Sequence, residues 1–214
     1  MFSKAHGFTL IEVMVALLLM AILSVLSWRA LDAMSRTRDT LNSHGQQDDQ
    51  LKALFNLWEK DCHQLVMGAD GVLTVPVYMD SSETVLLKEK TLANGVHRPI
   101  VVIYELENNQ LIRLESRGLN TRQELMRVWS NALNHHLTTD LGLLNREVLL
   151  ESVDALSSST FFDGMGWVNN SNQFNAAITS QKHPREVILR ALELSVLLTH
   201  QSEPFHKIAL TGVD

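Results

Sequence analysis

From Phe8 to Leu26 the chain is one hydrophobic run that carries a single charge, Glu12. As a helix this run is long enough to cross a bilayer, because about 20 apolar residues cover roughly 30 Å of hydrocarbon. A carboxylate in such a helix costs about 2.5–3.5 kcal/mol on insertion scales, so it needs a partner or a function. An ordinary secretory signal puts its small-residue cleavage point after the apolar core. Here the small residue, Gly7, stands before the core. A cut after Gly7 would keep the helix and leave a new amine on Phe8. That amine would lie four residues from Glu12, about one helical turn.

The stretch Gly7-Phe8-Thr9-Leu10-Ile11-Glu12, with Lys4 ahead of it, resembles the prepilin peptidase signal of type IV pilins and type II secretion pseudopilins. The pattern is a short basic leader ending in Gly, then Phe-Thr-Leu-(Ile/Leu)-Glu, then an apolar helix. The resemblance implies cleavage after Gly7 and N-methylation of Phe8. It also implies that Glu12 pairs with the amine of a neighbouring subunit and so has a role in assembly. Lys4 before the helix and Arg29, Arg36 and Arg38 after it give no clean positive-inside signal. The resemblance implies a cytoplasmic leader, a single span of the inner membrane and a periplasmic head.

The remaining chain bounds the rest. Of 214 residues, roughly 150 are left beyond the N-terminal helix, enough for one domain with its own core. A net charge of −6 argues against general nucleic-acid binding. One cysteine, Cys62, allows no internal disulfide and reads as a small buried residue on a helix face.

Beyond the apolar run no proline interrupts the chain until after Met67, and the pattern stays helical. Leu51, Leu54, Phe55, Trp58, Cys62 and Leu65 recur at three- and four-residue steps, the mark of an amphipathic helix. Gly45 marks an expected bend or fray, and Gly68 to Gly71 the expected end. Short strands are expected at Val72 to Tyr78, Val85 to Leu87, Ile100 to Glu105, Leu111 to Glu115 and Leu125 to Trp129. Glu107-Asn108-Asn109 reads as a hairpin turn. Asn131 to Arg146 reads as a polar loop. Val148 to Phe162, the alternating Leu192 to Leu198 and His206 to Thr211 are further strands, with a turn at Asp163 to Gly166. The expected fold is α+β, a long N-terminal helix packed on an antiparallel sheet. The expected organisation is a leader over 1–7, a transmembrane helix over 8–27, its amphipathic continuation over 28–67 and a β-rich head over 68–214.

Val148 to Leu156, then Phe161-Phe162-Asp163-Gly164 and Trp167, is similar to a block of the J-type minor pseudopilins. Arg185 to Leu197 resembles the strand that follows it. Trp28 to Asp32 and Leu57 to Asp61 resemble the helix of that type. Ser152 stands where that block has Gly, Ser157 to Thr160 is more polar, and Leu125 to Arg146 has no counterpart. The resemblance implies a non-enzymatic subunit of the pseudopilus tip. Implied partners are the I-type and K-type minor pseudopilins, with the H-type as a further candidate, together with prepilin peptidase and inner-membrane lipid. A minor pilin of a type IV pilus, and a signal-anchored periplasmic enzyme or binding protein, are the alternatives.

Other chemistry reads weakly. His135, His136 and Asp140 lack the spacing of a zinc site. Asp163, Asn169, Asn170 and Asn172 lack the closing Glu of a calcium loop. Ser157-Ser158-Ser159 has no Gly-x-Ser-x-Gly elbow and reads as strand serines. No catalytic residue, metal, cofactor, small-molecule substrate or nucleic-acid partner is expected.

Overall fold

The structure, a computed structural model, describes residues 9–66, 75–80, 82–92, 95–133, 144–169 and 188–212. The fold is α+β. Helix α1 spans Leu10–His63 and is followed by strands β1 (Val77–Met79), β2 (Glu83–Thr91), β3 (His97–Glu107) and β4 (Gln110–Ser116). Helix α2 (Arg122–Leu133) comes next, then β5 (Leu144–Glu151), β6 (Val153–Phe162), β7 (Gly166–Val168), β8 (Leu189–Leu198) and β9 (Phe205–Leu210). Contacts divide the chain into two units, Met1–Asp49 and Gln50–Asp214.

In the first unit α1 exposes its apolar side chains, from Leu10 through Leu26 to Trp28. Helical structure passes through Gly45 without the expected break. One glycine costs about 1 kcal/mol in a helix, too little to stop propagation between long helical flanks.

The second unit has two antiparallel sheets. The first has the order β1-β2-β3-β4-β5, and the second has the order β7-β6-β8-β9. The end of α1 buries Leu51, Leu54, Trp58 and Cys62 in a core shared with both sheets. Helix α1 ends at His63, earlier than the glycines at 68 and 71, which lie outside the described residues. The chain then runs beside β2. The Val66 amide donates to the Leu87 carbonyl and the Glu89 amide to the Gln64 carbonyl.

The first sheet is covered on both faces. Leu86, Val102 and Tyr104 face α1 and the second sheet, while Val85, Leu87, Val101 and Ile103 face α2. That explains the unbroken apolar run Ile100 to Tyr104, since a strand buried on two sides has no polar alternation. Strands β3 and β4 join through Asn108 and Asn109 at φ 50° and 60°. Two successive left-handed residues make the turn that matches strand twist, and Asn tolerates it.

Further expectations are corrected. Leu125 to Trp129 is helical, within α2. Leu125, Val128, Trp129 and Ala132 are buried and follow a helical step, not a two-residue one. The Thr121 hydroxyl accepts the Glu124 amide at 3.1 Å, and Glu124 accepts the Asn120 amide at 3.0 Å, which fixes the helix start. The second correction concerns Val148 to Phe162, which is divided. Ser152, at φ 58°, turns the chain from β5 in the first sheet to β6 in the second. Its left-handed backbone gives a conformational reason for glycine in the resembling block. Val85 to Leu87, Ile100 to Glu105, Leu111 to Glu115 and Leu192 to Leu198 fall within described strands, and His206 to Thr211 overlaps β9. Of Val72 to Tyr78 only Val77 and Tyr78 are strand, with 72–74 outside the described residues, and the turn is at Asp163 to Gly166 as expected. The expected polar loop Asn131 to Arg146 is shorter: α2 continues through Leu133 and β5 begins at Leu144, because Ala132 is buried on the helix face and Leu144 to Arg146 pair with β4.

At the end of β9 the chain closes on α1. A Cβ at Gly212 would collide with the His63 carbonyl oxygen. Gly212→Ala is expected to destabilise the head by about 1–3 kcal/mol, as overpacking against backbone does. Denaturant unfolding of the detergent-solubilised chain, with hydrogen exchange over 205–211, measures this; unchanged stability and protection would contradict the close approach.

Candidate functional site

The N-terminal site starts from helix-end chemistry. The first turn of a helix leaves amides unpaired, and a Thr-x-x-Glu sequence can satisfy them reciprocally. Thr9 precedes α1, and its amide and hydroxyl both donate to Glu12 Oε2 at 2.9 Å. The Glu12 amide donates back to Thr9 Oγ1 at 3.4 Å. Glu12 therefore has a local role in starting the helix. The Thr9-to-Glu12 spacing in the sequence carries the signal for this role, although the amine pairing drew attention first. Gly7 and Phe8 lie outside the described residues.

Beyond this cap, Leu10–Asp39 is 30 residues long and apolar enough to cross a membrane, and its apolar stretch is unburied. The Ser24 hydroxyl donates to the Met20 carbonyl at 2.8 Å, so it needs no other partner in an apolar setting. An apolar helix of this length, near the N-terminus, fits a single-pass membrane anchor.

A family model described as the prokaryotic N-terminal methylation motif matches residues 2–28. The motif is of the prepilin type. It supports a type IV pilin-like or pseudopilin protein, and the α+β head on a long helix is consistent with a pilin-like fold. No curated protein matches the chain.

The head contains a second constellation, one that sequence reasoning missed. Asp61 sits on α1 between Trp58 and Cys62 and is fully buried. Its Oδ1 accepts Lys88 Nζ at 2.6 Å. Its Oδ2 accepts the Tyr104 hydroxyl at 2.7 Å and Arg113 Nε at 2.9 Å. Lys88 also donates to Gln64 at 3.0 Å, and Arg113 pairs with Glu115 at 2.7 Å, which Lys90 joins. The Trp58 ring meets Tyr104 edge-on at 5.1 Å, and the Arg113 guanidinium lies 5.9 Å from the Tyr104 ring centre. The residues come from β2, β3 and β4, neighbours whose register places Tyr104 opposite Arg113. The available signal was Asp61 at the three-residue step from Trp58, an acidic residue on an apolar stripe.

Electrostatics follow from this burial. Burial pushes the Tyr104 phenol well up, and the Asp61 charge adds to it. Burial, then the Asp61 and Glu59 charges, push the Cys62 thiol well up, so Cys62 is an inert core residue as expected. Burial opposes the charge on Arg113, but the hydrogen bond and charge of Asp61 outweigh it and the guanidinium is held protonated. Burial also opposes ionisation of Glu115, yet hydrogen bonds from Lys90 and Arg113 hold it below the usual carboxylate range.

The remaining candidates separate. His135, His136, Asp140, Asn170 and Asn172 lie outside the described residues. Asp163 pairs with Arg190 at 3.3 Å, and no metal-type cluster occurs among the described residues. Ser157 to Ser159 lie on β6, paired with β8 on one side and preceding the three β6 residues that pair with β7 on the other. Ser158 points inward and accepts the Thr84 hydroxyl at 2.7 Å. Ser159 donates to Glu193 at 2.8 Å, and His206 Nδ1 lies 3.1 Å from the other Glu193 oxygen. The carboxylate thus stands between hydroxyl and imidazole. Activation of a serine needs the imidazole in the middle, so this order does not make a nucleophile.

Two measurements check the buried network. Asp61→Asn keeps the shape and removes the charge facing Lys88 and Arg113. It is expected to cost about 3–5 kcal/mol in denaturant unfolding, as losing one member of a buried pair does. Glu59→Gln, which breaks an exposed pair with Lys207 at 2.7 Å, is the control and should change little. The second measurement is alkaline titration. Cys62 and Tyr104 have folded pKa values raised above their unfolded ones. Their contribution is complete below the unfolded pKa and is lost as pH rises toward the folded one. Unfolding free energy should therefore fall from about pH 9 upward, and Cys62→Ala should flatten the first part of that fall.

Proposed function

We propose that the protein is a minor pseudopilin of the J type, a non-enzymatic subunit of a type II secretion pseudopilus. The observation that carries this reading is the prepilin-type methylation motif over 2–28 running into a 54-residue helix whose end belongs to an α+β head. The J-type resemblance over Val148 to Trp167 favours this subunit over a minor pilin of a type IV pilus. In this reading 1–7 is the leader, 8–27 spans the inner membrane, 28–67 continues the helix and 68–214 is the periplasmic head. Prepilin peptidase cuts after Gly7 and Phe8 is methylated. The I-type and K-type subunits are the partners in a tip complex that starts the filament.

Storage and assembly follow from the physics of the helix. In the membrane its exposed apolar side chains meet lipid. In a filament they exchange lipid for neighbouring helices, where packing and polar pairs supply the attraction. Glu12 then pairs with the Phe8 amine of a neighbour, which offsets the cost of each buried charge and sets the axial register. Methylation leaves that amine positive.

Mass spectrometry of membrane-extracted protein tests processing. The mature chain is expected to begin at N-methylated Phe8, and Gly7→Val to remain a precursor; normal maturation of that variant would refute the cut. Crosslinking to the I-type and K-type subunits tests register. Glu12→Gln retains an N-terminal cap acceptor and removes the charge, while Glu12→Leu removes both. Both should still be cleaved, and both should lose crosslinking, because breaking a buried charge pair costs about 3–5 kcal/mol. Loss with Leu alone would assign Glu12 to capping and not to register.

A further inference from the structure

The outer face of the second sheet carries a cleft of about 340 Å³ that none of the preceding roles uses. Its lining includes Ser157, Ser159, Glu193, Ser195, His206 and the Trp167 indole. Strand register assembles it. Ser157 lies opposite Ser195 and Ser159 opposite Glu193 across β6 and β8. Ser195 lies opposite His206 across β8 and β9. Trp167, on β7, stands beside Phe161 with ring centres 5.4 Å apart and keeps 45% of its surface exposed.

The chemistry of this lining is one-sided. It has a carboxylate and, among the described lining residues, no lysine or arginine. Glu193 is held by two donors, Ser159 and His206, and its side chain remains 27% exposed. In its neutral Nδ1–H tautomer His206 donates to Glu193 and presents Nε2 as an acceptor. Serine oxygens add further acceptors. An acceptor-bearing hollow built around one partly exposed carboxylate suits a ligand that is positive and has donors only. An exposed indole beside it suits a flat cation that can stack. Guanidinium meets both demands, since it is planar, always charged and carries five N–H donors; ammonium is compact and does not stack as a plane.

We propose that this cleft binds a guanidinium group, presented as an arginine side chain of a partner protein. Glu193 takes the charge-assisted hydrogen bonds, Trp167 forms the stacking wall, and His206 and Ser159 hold the carboxylate in place. The volume accommodates an arginine head and part of its stem. The proposal stands apart from the assembly reading, because it depends only on the head.

The test uses the full chain in detergent micelles, followed by the NMR signal of the Trp167 indole N–H, assigned with Trp167→Phe. The probes are three blocked peptides with the same glycine flanks and a central arginine, lysine or norleucine, with methyl glucoside as a neutral polyol. The arginine peptide is expected to give a saturable shift, at least about fivefold tighter than the lysine peptide, with no saturation by norleucine or the glucoside. Glu193→Gln, which keeps the shape of the side chain, should weaken arginine binding by about fivefold or more while the thermal transition is unchanged. No saturable shift, equal binding of lysine or glucoside, or undiminished binding to Glu193→Gln would overturn the proposal.

Discussion

The carboxylate of Asp61 is the point at which the long helix is fastened to the head. A buried charge is tolerated only when partners satisfy it, and Asp61 is met by Lys88, Tyr104 and Arg113 from three adjacent strands. Each partner sits on the strand face that looks toward the end of α1, so the pairing also sets the rotation of that last part of the helix, from Leu51 to His63, against the sheet. Apolar contacts of Leu54, Trp58 and Cys62 would tolerate a small slide along the sheet; three directed hydrogen bonds, two of them ion pairs, resist it. The chain segment after His63 then runs beside β2, which brings Gln64 to the same lysine.

Other features of the head follow from that anchorage. The first sheet is covered by α1 and the second sheet on one side and by α2 on the other. Its central strand can therefore be apolar without alternation. Among the described residues the second sheet buries one face, and β8 alternates accordingly. Its free face is where Ser157, Ser159, Glu193, Ser195 and His206 collect. Polarity in β6 is thus a property of a solvent face, while Ser158 on the opposite face is absorbed by Thr84.

The two acidic residues of α1 that matter most use different physics. Glu12 lies at the first turn, where unpaired amides and the positive helix end favour a carboxylate. Its bonds to Thr9 are local and three residues long in sequence. Asp61 is 27, 43 and 52 residues from its partners, and only folding brings them together.

That contrast describes what could be read from the chain alone. The apolar run after Gly7, the stripe from Leu51 to Leu65, the Asn108-Asn109 turn and the alternation of Leu192 to Leu198 were legible, because hydrophobic periodicity and turn chemistry act over a few residues. Those signals were enough for the α+β class and for the prepilin-type N-terminus. Leu125 to Trp129 was misread as a strand because a short apolar run satisfies both periods, and its capping pair Thr121 and Glu124 was the signal for a helix. Residues 148–162 looked continuous because nothing in their hydrophobicity marks the change of sheet, which rests on the backbone of Ser152. The long apolar helix and its cap were determined by the sequence itself, through local composition and spacing. The division into two sheets, the burial of Asp61 and the polar cleft were decided only by tertiary structure, because each depends on which distant strands become neighbours.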